Sequence, residues 1–118
     1  MKTLVIGASE NTSRYSNIAI NMLTEYKHEV VGIGSKAGNV AGVEFGTEQV
    51  PFLDIDTVTM YVGLQNQEKV IPYVLDLKPR RIIFNPGTEN QTFANAAEKQ
   101  GIEVVEACTL VMLRTGQF

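Results

Sequence analysis

Thr3-Leu4-Val5-Ile6-Gly7-Ala8-Ser9-Glu10-Asn11-Thr12-Ser13-Arg14-Tyr15-Ser16-Asn17 is the stretch whose reading decides the fold. Thr3 to Ile6 form a short apolar run with no polar alternation. Such a strand needs cover on both faces, as in a parallel sheet. Gly7 permits a tight turn and close backbone approach at the strand end. Beyond the polar turn, the spacing predicts a helix from Ser16 to Lys27. Ser16 is its expected N-cap, and Ala19, Met22, Leu23 and Tyr26 share one face.

The same alternation continues outward. Glu29–Ile33 reads as a second strand ending at Gly34. The stretch holding Gly38, Gly42 and Gly46 predicts loops and a short strand near Val43–Phe45. Thr57–Val62 is the third strand. Asn66–Leu77 reads as a helix with Val70, Tyr73, Val74 and Leu77 on one face, and Pro72 predicts a kink or a late start. Arg81–Phe84 is the fourth strand. A third helix follows from Asn90 to Gln100, with Ala94 and Ala97 at packing positions and Gly101 at C′. Ile102–Val105 is the fifth strand, and Thr109–Thr115 a short terminal helix. Its Leu110–Leu113 run either packs on the sheet or forms a homo-oligomer contact.

Parallel strands need crossover connections, and those are right-handed. The expectation is therefore an α/β chain: one domain over residues 1–118, a Rossmann-like three-layer doubly wound parallel sheet of about five strands, order 3-2-1-4-5. Ligands of such sheets sit at the carboxyl ends of the strands. That gathers residues 7–16, 34–36, 63–65, 85–89 and 106–108 around one site.

Composition narrows the function. The 118 residues are 44% hydrophobic and 19% charged, with a net charge of −3. A nucleic-acid binder carries a basic stripe, so this balance argues against one. It allows one small phosphorylated ligand held by local cations. The length leaves no room for a two-domain dehydrogenase or ligase. Cys108 is the lone cysteine, which excludes an intrachain disulfide and is compatible with a reducing cytosol. Met1–Gly7 is shorter in apolar residues than the roughly 7–15 of a secretory segment. No run approaches the ~20 residues of a membrane span. A cytoplasmic location is expected.

The first loop suits a phosphate or pyrophosphate. A helix N-terminus offers free N–H groups, Ser9, Ser13 and Ser16 offer hydroxyls, and Arg14 offers a planar cationic fork. The alternative is a polar capping loop with a solvated arginine. The dinucleotide pattern G-x-G-x-x-G is broken, because Ser9 and Thr12 stand at its second and third glycines. The second strand ends at Gly34-Ser35-Lys36, with no acid for a ribose diol. Lys36 would instead pair with a phosphate on that ribose, as in NADP or coenzyme A; a solvent-facing lysine is the alternative.

Gly7-Ala8-Ser9, followed by Arg14-Tyr15-Ser16 at the helix start, resembles the small CoA-binding proteins. These share a Rossmann-like fold with the nucleotide-binding domain of succinyl-CoA synthetase α-subunits. Lys36 and Cys108 match the family, and the likeness runs along nearly the whole chain. Gly34-Ser35 and Asn85-Pro86-Gly87-Thr88-Glu89 depart from it. The resemblance implies binding of coenzyme A or an acyl-CoA, without catalytic residues or a metal. The pyrophosphate would lie over Gly7, Ala8, Ser9, Arg14 and Ser16, and Tyr15 would pack on the ligand. The 3′-phosphate would approach Ser35 and Lys36. The thiol end would run toward Asn85 and Gly87, or toward Cys108. An NADP-binding small oxidoreductase and a ligand-free protein-interaction module are the alternatives. His28, Asp54, Asp56, Arg80 and Arg81 are expected at the opposite end of the sheet, the arginines solvated. Glu89 and Glu106 could meet at the carboxyl edge. Cys108 reads as a small buried hydrophobe or as a partner for a mixed disulfide with a ligand thiol.

Overall fold

The computed structural model describes residues 2–118; Met1, which opens the expected non-secretory amino end, lies outside them. Five parallel strands form one sheet: β1 (Lys2–Ala8), β2 (Glu29–Gly34), β5 (Ile55–Met60), β6 (Arg81–Phe84) and β7 (Glu103–Glu106). A small antiparallel hairpin, β3 (Gly38–Val40) and β4 (Val43–Phe45), stands beside it. The helices are α1 (Tyr15–Glu25), α2 (Ile71–Leu77), α3 (Gln91–Lys99) and α4 (Thr109–Arg114). This is the expected Rossmann-like arrangement of a parallel sheet between helical layers.

The strand order corrects the expectation. It is β2-β1-β5-β6-β7. Counted over the five expected strands this is 2-1-3-4-5, not 3-2-1-4-5. The chain leaves β2, passes back over β1 and pairs β5 with the opposite side of β1, from Lys2↔Ile55 to Ile6↔Met60. Burial explains the choice. β5 is almost wholly buried, whereas β2 is mostly half-exposed and suits an edge. The connection from β2 to β5 carries no helix. The hairpin fills part of it and docks on β2, where Gly34 N–H donates to Gly46 O at 2.9 Å. The expected short strand at Val43–Phe45 is β4; its partner β3 carries too short a run to announce itself.

Alternate residues of each strand feed two cores. On one face Leu4, Ile6, Val58, Met60, Ile82 and Phe84 pack with Val74 of α2 and Phe93, Ala94 and Ala97 of α3. Phe84 and Phe93 meet edge to face at 5.2 Å between centroids. On the other face Val5 and Ala8 pack with Ile20 and Leu23 of α1 and Leu113 of α4. The terminal apolar run thus packs inward at Leu110, Met112 and Leu113, while Val111 stays exposed.

Local signals set most element ends. Pro72 lies in the first turn of α2, which starts late as expected. Asn90 caps α3, its Oδ1 accepting from Phe93 N–H at 3.1 Å, and Gly101 follows at C′. The first helix differs: Arg14 is its N-cap, and Ser16 is the second helical residue and buried. Asn11 causes the shift. Its side chain accepts from Ser13 N–H at 3.0 Å, and its carbonyl accepts from Arg14 N–H at 3.0 Å. The chain is therefore already winding before Ser16.

The amino end of the sheet holds the charges predicted there, with one change. Arg80 pairs with Asp56 at 2.8 Å and lies 3.6 Å from Glu103. Arg81, expected in solvent, is buried. Its Nε donates to Thr57 Oγ1 at 3.1 Å, and its guanidinium stands 4.6 Å from the Phe118 ring centre. His28 meets the same ring edge-on at 4.9 Å. Among the described residues, no helix is long and apolar enough to cross a membrane, and no cluster of potential metal ligands forms.

Candidate functional site

The direction of the chain reverses between β1 and β5, since β2 lies to one side of β1 and β5, β6 and β7 to the other. A crevice must open outside the carboxyl ends of the strands at such a point. Gly7 forms its floor with a φ of +99°, and a Cβ there would stand 3.0 Å from the Tyr61 carbonyl oxygen. Only glycine fits both the left-handed geometry and that approach without strain.

Beyond Gly7 the loop is held by its own polar groups. Ser9 Oγ accepts from Asn11 N–H at 3.0 Å, and Asn17 Nδ2 donates to Ser9 O at 3.0 Å. No side chain caps the N-terminus of α1. The first-turn N–H groups of Tyr15 and Ser16 are thereby left for a ligand or water, at the positive end of the helix dipole.

These residues line a cleft of about 800 Å³, within the size range of small-molecule sites. Gly7, Ala8, Ser9, Arg14, Tyr15, Ser16, Ser35 and Gly87, all predicted site residues, contribute to its wall. Lys36 does not. It lines a smaller neighbouring cavity of about 430 Å³, which shares Ala8, Ser9, Arg14 and Ser35 with the first. Arg14 therefore lines both compartments, and Lys36 lines only the second. Glu10 shares that compartment, and its carboxylate accepts from Asn39 N–H at 2.9 Å, tying the loop to the hairpin.

Asn85 is not on the cleft wall, contrary to expectation. It is buried and its amide is spent inside the fold: Nδ2 donates to Thr59 Oγ1 at 2.7 Å and to Met60 O at 2.8 Å, and Oδ1 accepts from Thr109 N–H at 2.9 Å. Asn85 thus fastens β6 to β5 and to the start of α4. Cys108 precedes α4 as its N-cap, half-buried and off the cleft wall. The Glu89 carboxylate accepts from Gly87 N–H at 2.9 Å and braces that turn.

The loops after β5 and β6 supply much of the remaining wall, including Gly63, Gln65, Asn66, Pro86 and Thr88. Gln67 joins them from beneath. It is fully buried, and its Nε2 donates to Val62 O at 2.9 Å and to Thr88 O at 2.7 Å. Sequence reading passed over Gln67, Asn66 and the wall residues Thr47 and Gln49. The only available signal was Pro72, whose late helix start leaves residues before it free to shape a wall.

Arg14 is the only charged residue lining the main cleft among the described residues. Tyr61, at its floor, has a phenol buried beside the Thr59–Thr109 hydroxyl pair, without a well-formed hydrogen bond of its own. Burial pushes its pKa up to about 12. It remains neutral near pH 7 and supplies no base.

A family model described as a CoA binding domain matches residues 1–114. A crystal structure of an uncharacterized protein superposes with a TM-score of 0.96 at 44% identity, covering 99% of this chain and 97% of that one. A hypothetical protein from Pyrococcus horikoshii OT3 superposes at 0.86 with 20% identity, over 96% of this chain and 81% of that one. A Thermus thermophilus structure, cell-free ID.343, does so at 0.85 with 21% identity, over 99% and 90%. The last two show the fold alone. No curated protein matches the chain.

Proposed function

The chain belongs to the CoA-binding domain family, and from that premise we propose that it binds coenzyme A or an acyl-CoA in the cleft at the carboxyl edge of its sheet. One observation carries the reading: the uncapped first turn of α1, with Arg14 beside it, opens onto two joined compartments, the smaller bearing Lys36. An extended ligand with a pyrophosphate and a ribose phosphate suits a cleft in which Arg14 lines both compartments and Lys36 the smaller one.

The residues present suit the parts of this ligand. The pyrophosphate falls to the α1 N–H groups, Ser9, Ser16 and Arg14. The 3′-phosphate falls to Lys36, Ser35 and Arg14. The amide-bearing arm falls to the neutral polar wall of Gln65, Asn66 and Thr88, next to Gly87. Tyr15, exposed at the rim, offers its ring as a packing face. Coenzyme A supplies a thiol that carries acyl groups as thioesters. Among the described residues the main cleft wall is neutral apart from Arg14, and the role read for it is binding without catalysis. The net charge of −3 and the lone thiol accord with a cytoplasmic protein that does not bind nucleic acid.

Thermal unfolding with coenzyme A, dephospho-coenzyme A, NADP and NAD tests the reading, because a ligand of the native state raises stability by mass action. Coenzyme A should raise the midpoint most, and loss of the 3′-phosphate should shrink the shift. A larger shift with NADP would transfer the site to a nicotinamide dinucleotide. No shift with any of the four would favour a protein-interaction module.

A further inference from the structure

We propose that Gln67 is a positioning residue for the ligand: its buried amide fixes the gap between the loops after β5 and β6, and with it the wall that receives the amide-bearing arm. The proposal rests on the coenzyme A reading, which gives Gln65, Asn66 and Thr88 to that arm. Gln67 itself does not line the cleft. Its effect on binding is indirect, through the two loops it holds.

Strand pairing sets the spacing of β5 and β6 only as far as Met60↔Phe84. Asn85 Nδ2 adds one bond across, to Met60 O at 2.8 Å. Farther out, where both chain segments have become cleft wall, Gln67 Nε2 spans them, donating to Val62 O at 2.9 Å and to Thr88 O at 2.7 Å. Val62 and Thr88 both line the cleft. The amide has one workable orientation, because two carbonyl oxygens need a donor and Nε2 must face them. Oε1 then accepts from Asn90 Nδ2 at 3.1 Å, while Asn90 Oδ1 accepts from Phe93 N–H as the cap of α3. The Gln67 carbonyl accepts from Val70 N–H at 2.9 Å and from Ile71 N–H at 3.1 Å, where α2 begins. The two loops thus take their spacing from α2 and α3, both packed into one core. Gln67 is 0% exposed. A buried amide costs free energy unless it is bonded, and a bonded buried network holds a single arrangement. An apolar side chain of the same length would fill the space and leave the loops without their link.

Calorimetric titration of the full chain with coenzyme A and with adenosine 3′-phosphate 5′-diphosphate, which keeps the phosphates and lacks the arm, tests this. Wild type should bind coenzyme A more tightly than the truncated ligand. Gln67→Met keeps the side-chain length and removes the amide. It should weaken coenzyme A about ten-fold, the worth of about one hydrogen bond to the arm, and leave the truncated ligand within about two-fold. A purely structural role would weaken both ligands alike. Asn90→Ser keeps a capping acceptor for α3 and removes the donor to Gln67 Oε1. It should shift the ratio in the same direction by less, and it carries the comparison should Gln67→Met not fold. Wild type binding both ligands equally, equal losses for the two, or a ratio that does not move overturns the positioning role while leaving phosphate binding intact. Failure of wild type to bind either ligand overturns the coenzyme A reading and the positioning role with it.

Discussion

Gly7 at the end of β1 backs onto Tyr61 just beyond β5, where Tyr61 N–H donates to Ile6 O at 2.8 Å and a Cβ on Gly7 would stand 3.0 Å from Tyr61 O. This contact closes the floor of the cleft and joins the two strands at which the winding reverses.

Gly7→Ala should therefore cost stability and affinity together. The new methyl meets backbone rather than a movable side chain, at a φ of +99°. A loss of about 1–3 kcal/mol is expected, read as a lowered urea midpoint with an unchanged slope. Coenzyme A affinity should fall in the same variant, because the floor must shift to admit the methyl.

Asn85 and Arg14 should separate where Gly7 does not. Asn85→Ala leaves the Thr59 hydroxyl, the Met60 carbonyl and the Thr109 N–H without their buried partner. A loss of about 2–4 kcal/mol is expected on chemical denaturation. Arg14 is exposed and makes no side-chain cap bond. Arg14→Ala should leave stability within about 0.5 kcal/mol and weaken coenzyme A in calorimetry. If Asn85→Ala lowered affinity with no loss of stability, Asn85 would belong to the ligand after all.

His28 sets a pH dependence. Burial and then nearby positive charge, Arg81 included, hold its pKa below the usual imidazole value of 6.5. The unfolded chain therefore binds a proton that the folded chain resists, and stability rises with pH across that window. Lowering the pH from about 7.5 to about 5.5, through the unfolded value near 6.5, should lower the unfolding free energy. His28→Gln should flatten that slope. A wild-type curve already flat between those limits would contradict the assignment.

The sequence carried the strands and helices because each is a local pattern. Thr3–Ile6, Arg81–Phe84 and the Asn90-to-Gly101 helix signals depend on near neighbours alone. The strand order was not local. It turns on which side of β1 receives β5, and the Gly-rich connection from Gly34 has no helix whose packing face would declare the side. Composition did not settle it either, since β2 and β5 each carry three apolar residues and only their burial in the fold sets them apart. The candidate site was legible where backbone motifs make it, at Gly7–Ser16, and at Ser35. It was illegible where distant residues fold it together. Asn85 resembled a ligand contact because it follows a strand, yet its partners Thr59 and Thr109 lie 26 and 24 residues away. Gln67 gave no sign of reaching both Val62 and Thr88.

The central claim, two phosphate positions marked by Arg14 and Lys36, is tested most directly by the affinities of wild type and Lys36→Ala for coenzyme A and dephospho-coenzyme A. Wild type should prefer coenzyme A by about 1–3 kcal/mol, the worth of a charge-assisted contact. Lys36→Ala should lose that preference while binding dephospho-coenzyme A as wild type does. Equal affinity of wild type for the two ligands, or a preference that survives in Lys36→Ala, would contradict the account.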